Sequence, residues 1–330
     1  MICQCVYLID LLRKEVILRK VIGLDAVSCS RTFLADDVSE VEIRHVDVDV
    51  RRSNATSHDL DNMQAFNTDG LDVAGKNVWI HDCNIWNDDD CVCVKQQTGY
   101  VLGATPRVRV CGALHSLMTV LSLSLPPSLC SLRSNSFRSK CSENMLFERI
   151  NASGVGLTIG SIGPANAHSC VRNVTFRDCY MKNTFKGLYL KSRPGQDAGT
   201  GEIRDVLYEN IVIDNPTQWA VWIGPQQAVY DGACSLLWPY VNLDKGCPVP
   251  LNMVWDNLVF RNITINNPAQ SPGVIWGNEA GPMSNIVFDN VVVNGAPDFP
   301  FGDAYLCRGV KGGVAKGGTN PAPSCFESHP

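Results

Sequence analysis

Seven short stretches of the chain share one order of positions: apolar, any, large apolar, polar, polar, apolar, any, apolar. They begin at Val41, Val78, Met145, Val174, Val206, Leu258 and Ile286. The alternation has period two, which predicts strands, and the residues are the β-branched and aromatic types that strands favour. The copy at Met145 is the poorest, ending on Ala152 where the others end on a larger side chain. Asn77, Asn144, Asn173, Asp205, Asn257 and Asn285 each stand just before a copy.

A second family of short apolar runs lies between these, at 70–73, 91–94, 156–159, 187–190, 220–223 and 273–276. No helical period joins the two families, so alternating strands and helices are a poor fit. Two strand types recurring about once per coil describe an all-β solenoid, a right-handed single-stranded parallel β-helix. Each coil would bury its apolar edge against its neighbours, with stacked Asn side chains satisfying backbone groups at the turns. An antiparallel sandwich would need hairpin turns at short spacing, whereas the seven copies start 28 residues or more apart. The expected organisation is an irregular or incomplete segment 1–28, a β-helix over 29–308 and an irregular Gly- and Pro-rich tail over 309–330. Residues 105–140, rich in Ser, Leu, Arg and Pro, break the repeat and read as an inserted loop.

Composition narrows the function classes. The chain has 330 residues, with 45% hydrophobic and 18% charged, as in a globular protein. A net charge of −5 gives no basic footprint, which argues against nucleic acid, and an anionic ligand would need local Lys or Arg. The most apolar run, 114–132, is broken by serines, Pro126 and Pro127, so no membrane span is expected. Fifteen cysteines suit an oxidising, extracellular setting. Residues 1–20 oppose that, with Arg13, Lys14 and Glu15 where a secretory leader would be apolar, and an incomplete start would reconcile the two. Cys234 with Cys247 and Cys307 with Cys325 are reasonable disulfides, while Cys83 and Cys179 fall at core positions of the repeat. Sequons occur at Asn54, Asn151, Asn173 and Asn262, of which Asn173 and Asn262 belong to the repeat. His45, His81 and His168 are scattered, so neither a metal nor another cofactor is expected. A monomer is expected.

The candidate chemistry is acidic. Asn67-Thr68-Asp69-Gly70 precedes one short run and Asp88-Asp89-Asp90-Cys91 precedes the next. Asp69 and Asp90 are 21 residues apart, a plausible coil, and that offset matches Leu71 with Val92 and Val73 with Val94. Stacking would then place the two carboxylates about 4.8 Å apart along the axis, with Asp89 beside them. Like charges this close raise at least one pKa, and a protonated acid next to an ionised partner is what glycoside hydrolysis requires. An acidic turn or a cation loop is the alternative for the same residues. Asp72 falls outside the three.

The order of motifs resembles the polygalacturonases, glycoside hydrolase family 28. Asn67-Thr68-Asp69 is followed by Asn87-Asp88-Asp89-Asp90-Cys91, then by the run from Gly154 through Val155, Gly156, Gly160 and Ser161 to Gly163, then by Gly187-Leu188-Tyr189-Leu190-Lys191. The likeness spans about residues 40–295 apart from the insert. It implies an inverting hydrolase of α-1,4 bonds in a galacturonate-containing polysaccharide. Asp89 would be the general acid, with Asp69 and Asp90 activating water across a gap of about 6.5–9.5 Å. Lys191, Asn67 and Tyr189 would bind substrate. Two positions depart from the family: Val155 stands in place of its histidine and Tyr189 in place of its arginine. Restoring both is expected to raise activity. The departures keep open a carbohydrate-binding β-helix without turnover, and the same architecture keeps open a calcium-dependent lyase.

Overall fold

The computed structural model describes residues 33–51, 68–97, 141–164, 167–195, 199–227, 234–240 and 246–328, with further backbone strands at Cys5–Leu8, Glu15–Ile17, Val21–Ile22 and Arg107–Cys111. Asn54, Asn67 and most of the inserted segment lie outside the described residues.

Each copy of the repeat is a pair of short strands folded about one corner. In the copy at Val174, Val174 and Phe176 point inward before the corner, and Cys179 and Met181 point inward after it. The parity slips at Asp178, where φ is 54°, and a left-handed residue turns the chain there. The two adjacent polar positions of the pattern therefore mark a bend. The Asn or Asp before each copy is a second corner of the same kind, with φ of 50° at Asn173 and 55° at Asp205. Asn and Asp tolerate this region because their short polar side chains bond locally.

Two parallel stacks close round the axis. One joins the long bent strands Phe33–Arg44, Leu71–Trp86, Ser142–Ala152, His168–Lys182, Thr200–Asp214, Met253–Asn266 and Met283–Asn294, each to the next. The other joins Asp90–Val94, Gly156–Ile162, Leu188–Ser192, Val221–Pro225, Gly273–Trp276 and Tyr305–Arg308 in order. The start of Leu71–Trp86 pairs with Asp90–Val94 through Leu71↔Val92 and Val73↔Val94, the register the spacing predicts. The parallel β-helix read from the repeat is thus the fold, and no helix occurs among the described residues.

The interior is a column of like residues. The rings of Phe147, Phe176, Tyr208 and Phe260 stack with centroids 4.7, 4.7 and 5.3 Å apart, and Phe288 follows edge-on at 5.0 Å. At the corners, side-chain amides form ladders along the axis. Asn173 donates to Asn144 at 2.9 Å and Asn144 to Asn77 at 3.0 Å. Asn290 donates to Asn262 at 3.1 Å, Asn262 to Asn210 at 3.0 Å and Asn210 to Asp178 at 3.0 Å. The sequon residues Asn173 and Asn262 thus spend their amide N–H groups within the ladder. An outer row alternates in charge from coil to coil, as Glu148, Arg177, Glu209, Arg261, Asp289 and Lys316. Apart from the buried Glu148 these are surface pairs, which contribute little stability, but a slip by one coil would set like charges side by side.

Three segments differ from the sequence expectation. Short strands at Cys5–Leu8, Glu15–Ile17 and Val21–Ile22 stand in the segment expected to be irregular, and the last two pair parallel with the coil that follows. Arg107–Cys111, inside the expected insert, pairs antiparallel with both Phe33–Arg44 and Cys5–Leu8, using backbone groups that no side-chain repeat reveals. The tail carries strands Val310–Lys311, Val314–Lys316 and Glu327–Ser328, which cap the last coil, and the Cys307–Cys325 disulfide ties it down. The Cys234–Cys247 disulfide is present, as is a Cys141–Cys170 pair that the sequence reading did not single out. Cys83 and Cys179 are free and buried.

The corner chemistry is testable at Asn210, where φ is 54°. Asn210→Val forces a β-branched residue into the left-handed region and breaks two ladder bonds, and should cost about 2–3 kcal/mol. Asn210→Gly keeps the backbone relaxed and should cost about 1 kcal/mol or less. Urea midpoints of the two variants check the ordering, and equal losses would contradict a left-handed corner.

Candidate active site

The acidic runs come together on the outer face of the short-strand stack, at its N-terminal end. Gly70 brings them close. Its N–H donates to the Asp90 carbonyl at 2.8 Å, and a Cβ there would lie 2.4 Å from the Cys91 carbonyl oxygen. Gly154, with φ of 62°, does the same from the next coil: a Cβ would lie 2.1 Å from the Asp89 carbonyl oxygen. Asn87 ties the turns together. Its buried amide donates to the carbonyls of Thr68 at 3.0 Å, Asp89 at 2.9 Å and Asp90 at 2.9 Å. The Thr68 hydroxyl accepts from the Asp88 N–H at 3.1 Å, and Ser153 bonds both the N–H and the carbonyl of Asn87.

Asp69, Asp89 and Asp90 are all buried to within a tenth of their surface. Oδ1 of Asp89 accepts from the Asp90 N–H at 2.8 Å, which orients that carboxyl. Asp90 is the most heavily bonded of the three. Lys191 Nζ donates to its Oδ1 at 3.0 Å and its Oδ2 at 2.7 Å, and Thr158 donates to Oδ1 at 2.9 Å. Lys95 Nζ reaches Asp90 Oδ2 at 3.4 Å, Asp72 Oδ1 at 3.4 Å and Asp69 Oδ2 at 3.6 Å. Asp72 is fully buried within this cluster, so the expectation that it stands apart is corrected: one lysine holds it with the other two.

The two coil-related carboxylates ionise differently. Burial pushes the Asp90 carboxyl up, but the ammonium groups of Lys191 and Lys95 outweigh that and hold it well below the usual carboxylate range. Burial and then repulsion by Asp90 push Asp69 up, against the pull of Lys95 and Lys191. At the pH where most carboxylates are charged, Asp90 is a firm anion and Asp69 the readier proton acceptor.

The remaining expected residues lie at the edge of this cluster. Lys191 is bonded to Asp90, as above. Tyr189 belongs to an apolar group with Val155, Phe185, Trp219, Trp222, Trp238 and Trp276, packed over the outer face of the short strands beyond Lys191. Its ring lies 4.6 Å from Lys191 Nζ on one hand and 5.0 Å from Lys186 Nζ on the other. Lys186 is fully buried, donating to Gln218 at 2.6 Å and Gln227 at 2.8 Å, and burial followed by repulsion from Lys191 lowers its pKa well below the usual lysine value. Asn67 lies outside the described residues. Lys95 and Lys186 escaped the sequence reading, while Asn87 and Thr158 lay within its motifs without an assigned role. The sequence does carry a signal for Lys95, two residues after outward-facing Cys93, since that parity also puts it on the outer face. Among the described residues the one metal-type grouping, Cys141, Cys170 and Glu202, has its two cysteines joined as a disulfide.

Two variants follow from this geometry. A raised carboxyl pKa destabilises the folded state above the unfolded value of 3.8, and that penalty disappears as pH falls below it. Asp69→Asn should therefore raise Tm at pH 7, with the gain vanishing near pH 3, in melting curves recorded across that range. An equal gain at both pH values would contradict a raised Asp69. Tyr189→Arg would set a guanidinium in an apolar cluster between Lys186 and Lys191. A loss of about 3 kcal/mol or more is expected by chemical denaturation, a cost in stability set against the activity that restoring arginine is expected to raise.

Comparison with known proteins gives the family of the chain. The sequence profile described as Glycosyl hydrolases family 28 matches residues 26–113 and 139–313, so the break in the match falls inside the non-repeating segment. Endopolygalacturonase AN8327 of Emericella nidulans is 25% identical over 248 residues, covering 72% of this chain and 48% of that protein. Probable rhamnogalacturonase C of Aspergillus flavus is 28% identical over 228 residues, covering 68% of this chain and 35% of that protein. The chain thus spans half or less of the length of these curated relatives. A hyperthermoactive exopolygalacturonase from Thermotoga maritima shares the fold, with a TM-score of 0.50 at 15% identity, over 85% of this chain and 48% of that one.

Proposed function

We propose that this chain, which belongs to glycosyl hydrolase family 28, hydrolyses α-1,4 bonds in a galacturonate-containing polysaccharide with inversion at the anomeric carbon. The observation that carries the reading is the pairing of Leu71 with Val92 and Val73 with Val94, which sets Asp69 and Asp90 on adjacent coils with Asp89 next to them. Asp89 protonates the glycosidic oxygen as the bond to the anomeric carbon breaks. A water on the opposite face of the sugar attacks, and its proton passes to the carboxylate pair. Within that pair the roles divide. Asp90, tied by Lys191 and Lys95, orients the water, and Asp69 takes the proton because its affinity for one is higher. Lys191 supplies a point charge for a uronate carboxylate, which would share it with Asp90. The relatives named for polygalacturonan and rhamnogalacturonan cleavage support the pectic substrate class. An extracellular site of action accords with that polymer and with the disulfides.

One observation favours a second reading. Val155 and Tyr189 are packed among aromatic rings where the family has a histidine and an arginine, which suits a binding β-helix that holds pectin without cutting it.

Asp89→Asn matches the carboxyl in shape but cannot donate a suitably acidic proton, so turnover should fall by about 10²–10⁴ with the fold retained. Asp69→Asn and Asp90→Asn should each lower the rate, and the double variant should lose less than the two losses combined. Initial rates of reducing-end release on polygalacturonate, with circular dichroism as the check on folding, decide the matter. Near wild-type rates in Asp89→Asn would overturn the acid assignment. Saturable binding by an inactive wild type would favour the second reading.

A further inference from the structure

Lys95 has no part in the motifs that mark the site, yet its ammonium is the point at which three buried carboxyls meet. Nζ lies 3.4 Å from Asp72, 3.4 Å from Asp90 and 3.6 Å from Asp69. Among the described residues it is the cation at ion-pair distance from Asp69. Its backbone is pinned where the coil leaves Asp90–Val94. The Lys95 N–H donates to the Val73 carbonyl at 2.8 Å, and its carbonyl accepts from the Ser142 hydroxyl at 2.6 Å. Ser142 in turn accepts from the Gly75 N–H at 3.2 Å. Three coils therefore fix the base of the side chain. The side chain itself is three-quarters buried, so water screens its charge only in part.

Resting on the hydrolase reading above, we infer that Lys95 is a positioning residue of the reaction: it holds Asp69 and Asp90 in one constellation and sets how readily Asp69 accepts the proton of the attacking water. Lys191 cannot substitute for it, because Lys191 spends its ammonium on both oxygens of Asp90. The groups that face Lys95 are Asp69, Asp72, Asp90, the Cys93 thiol and, through Asp90, Lys191. The carboxylates and the thiol all favour the charged amine against its burial, and Lys95 remains an ammonium across the working range. Charge lost from this point leaves Asp69 with burial and Asp90 acting against its ionisation, opposed by Lys191 and by a hydrogen bond with Asp72.

The test reads Asp69 directly as well as through turnover. An opposite charge at this range shifts a carboxyl by about one to three pKa units. In Lys95→Met the titration of Asp69, followed by the carboxyl ¹³C signal that disappears in Asp69→Asn, should therefore move up by about one unit or more. The acid limb of kcat/KM on polygalacturonate should move up with it, while the alkaline limb stays in place. Lys95→Arg, which keeps the charge, should bring both readouts most of the way back. Lys95→Gln carries the same expectation as Lys95→Met if the apolar variant does not fold. A folded neutral variant whose Asp69 titrates as in wild type would overturn the inference, as would a loss of rate equal at every pH and not rescued by Lys95→Arg. The ¹³C readout does not depend on turnover, so an inactive wild type would count against the hydrolase reading while the titration still decides the role of Lys95.

Discussion

Parallel stacking of one coil on the next, in a fixed register, is the constraint on which everything else here depends. A strand in such a stack meets its neighbour at about 4.8 Å, so any residue type recurring at the coil period becomes a column. Where the repeated residue is apolar, the column is the core of Phe147, Phe176, Tyr208, Phe260 and Phe288. Where it is Asn or Asp in a left-handed corner, the column is a hydrogen-bonded ladder. Where it is Asp, at Asp69 and Asp90, the column is a pair of carboxylates that cannot avoid each other. The scaffold tolerates that last column because Lys95 and Lys191 stand against it.

The same repulsion that strains the site makes it selective about protons. Two equivalent carboxylates would titrate as one pair. Here the second lysine breaks the equivalence, since Lys191 bonds both oxygens of Asp90 while Asp69 has its ion pair with Lys95. One carboxyl is held as an anion and the other has the higher affinity for a proton. Asn87 contributes nothing to the charge but decides the geometry, because its one amide spans the carbonyls of both acidic turns.

Much of this was legible in the sequence, and the limits have physical causes. The coil register is visible because Leu71, Val73, Val92 and Val94 are inward-facing, and burial imposes a pattern on such residues. The acids are visible because each turn sets an Asp two residues before the first inward-facing residue of its strand, Asp69 before Leu71 and Asp90 before Val92. Strand parity puts Lys95 and Asp72 on the outer face with the acids, but their meeting depends on side-chain reach between coils, which parity does not record. The bend inside each repeat was hidden for a different reason. Two short strands about a left-handed corner read as one alternation unless the parity slip at the paired polar positions is noticed. Arg107–Cys111 escaped because antiparallel pairing with Phe33–Arg44 uses backbone groups that carry no side-chain signature. Tyr189 was legible as a departure from the family, but its setting between two lysines under a lid of tryptophans was not.

In the mechanism proposed above, Asp69, Asp89 and Asp90 act together in a single displacement by water. The anomeric configuration of the first sugar released tests it most directly. Proton NMR of polygalacturonate digested by the wild-type protein, recorded in the first minutes, should show the new reducing end as the β anomer, with the α anomer growing in only as the product mutarotates. An α anomer appearing first would mean retention through a covalent intermediate, and an unsaturated product would mean elimination. Either result would contradict the mechanism drawn from this arrangement of carboxylates.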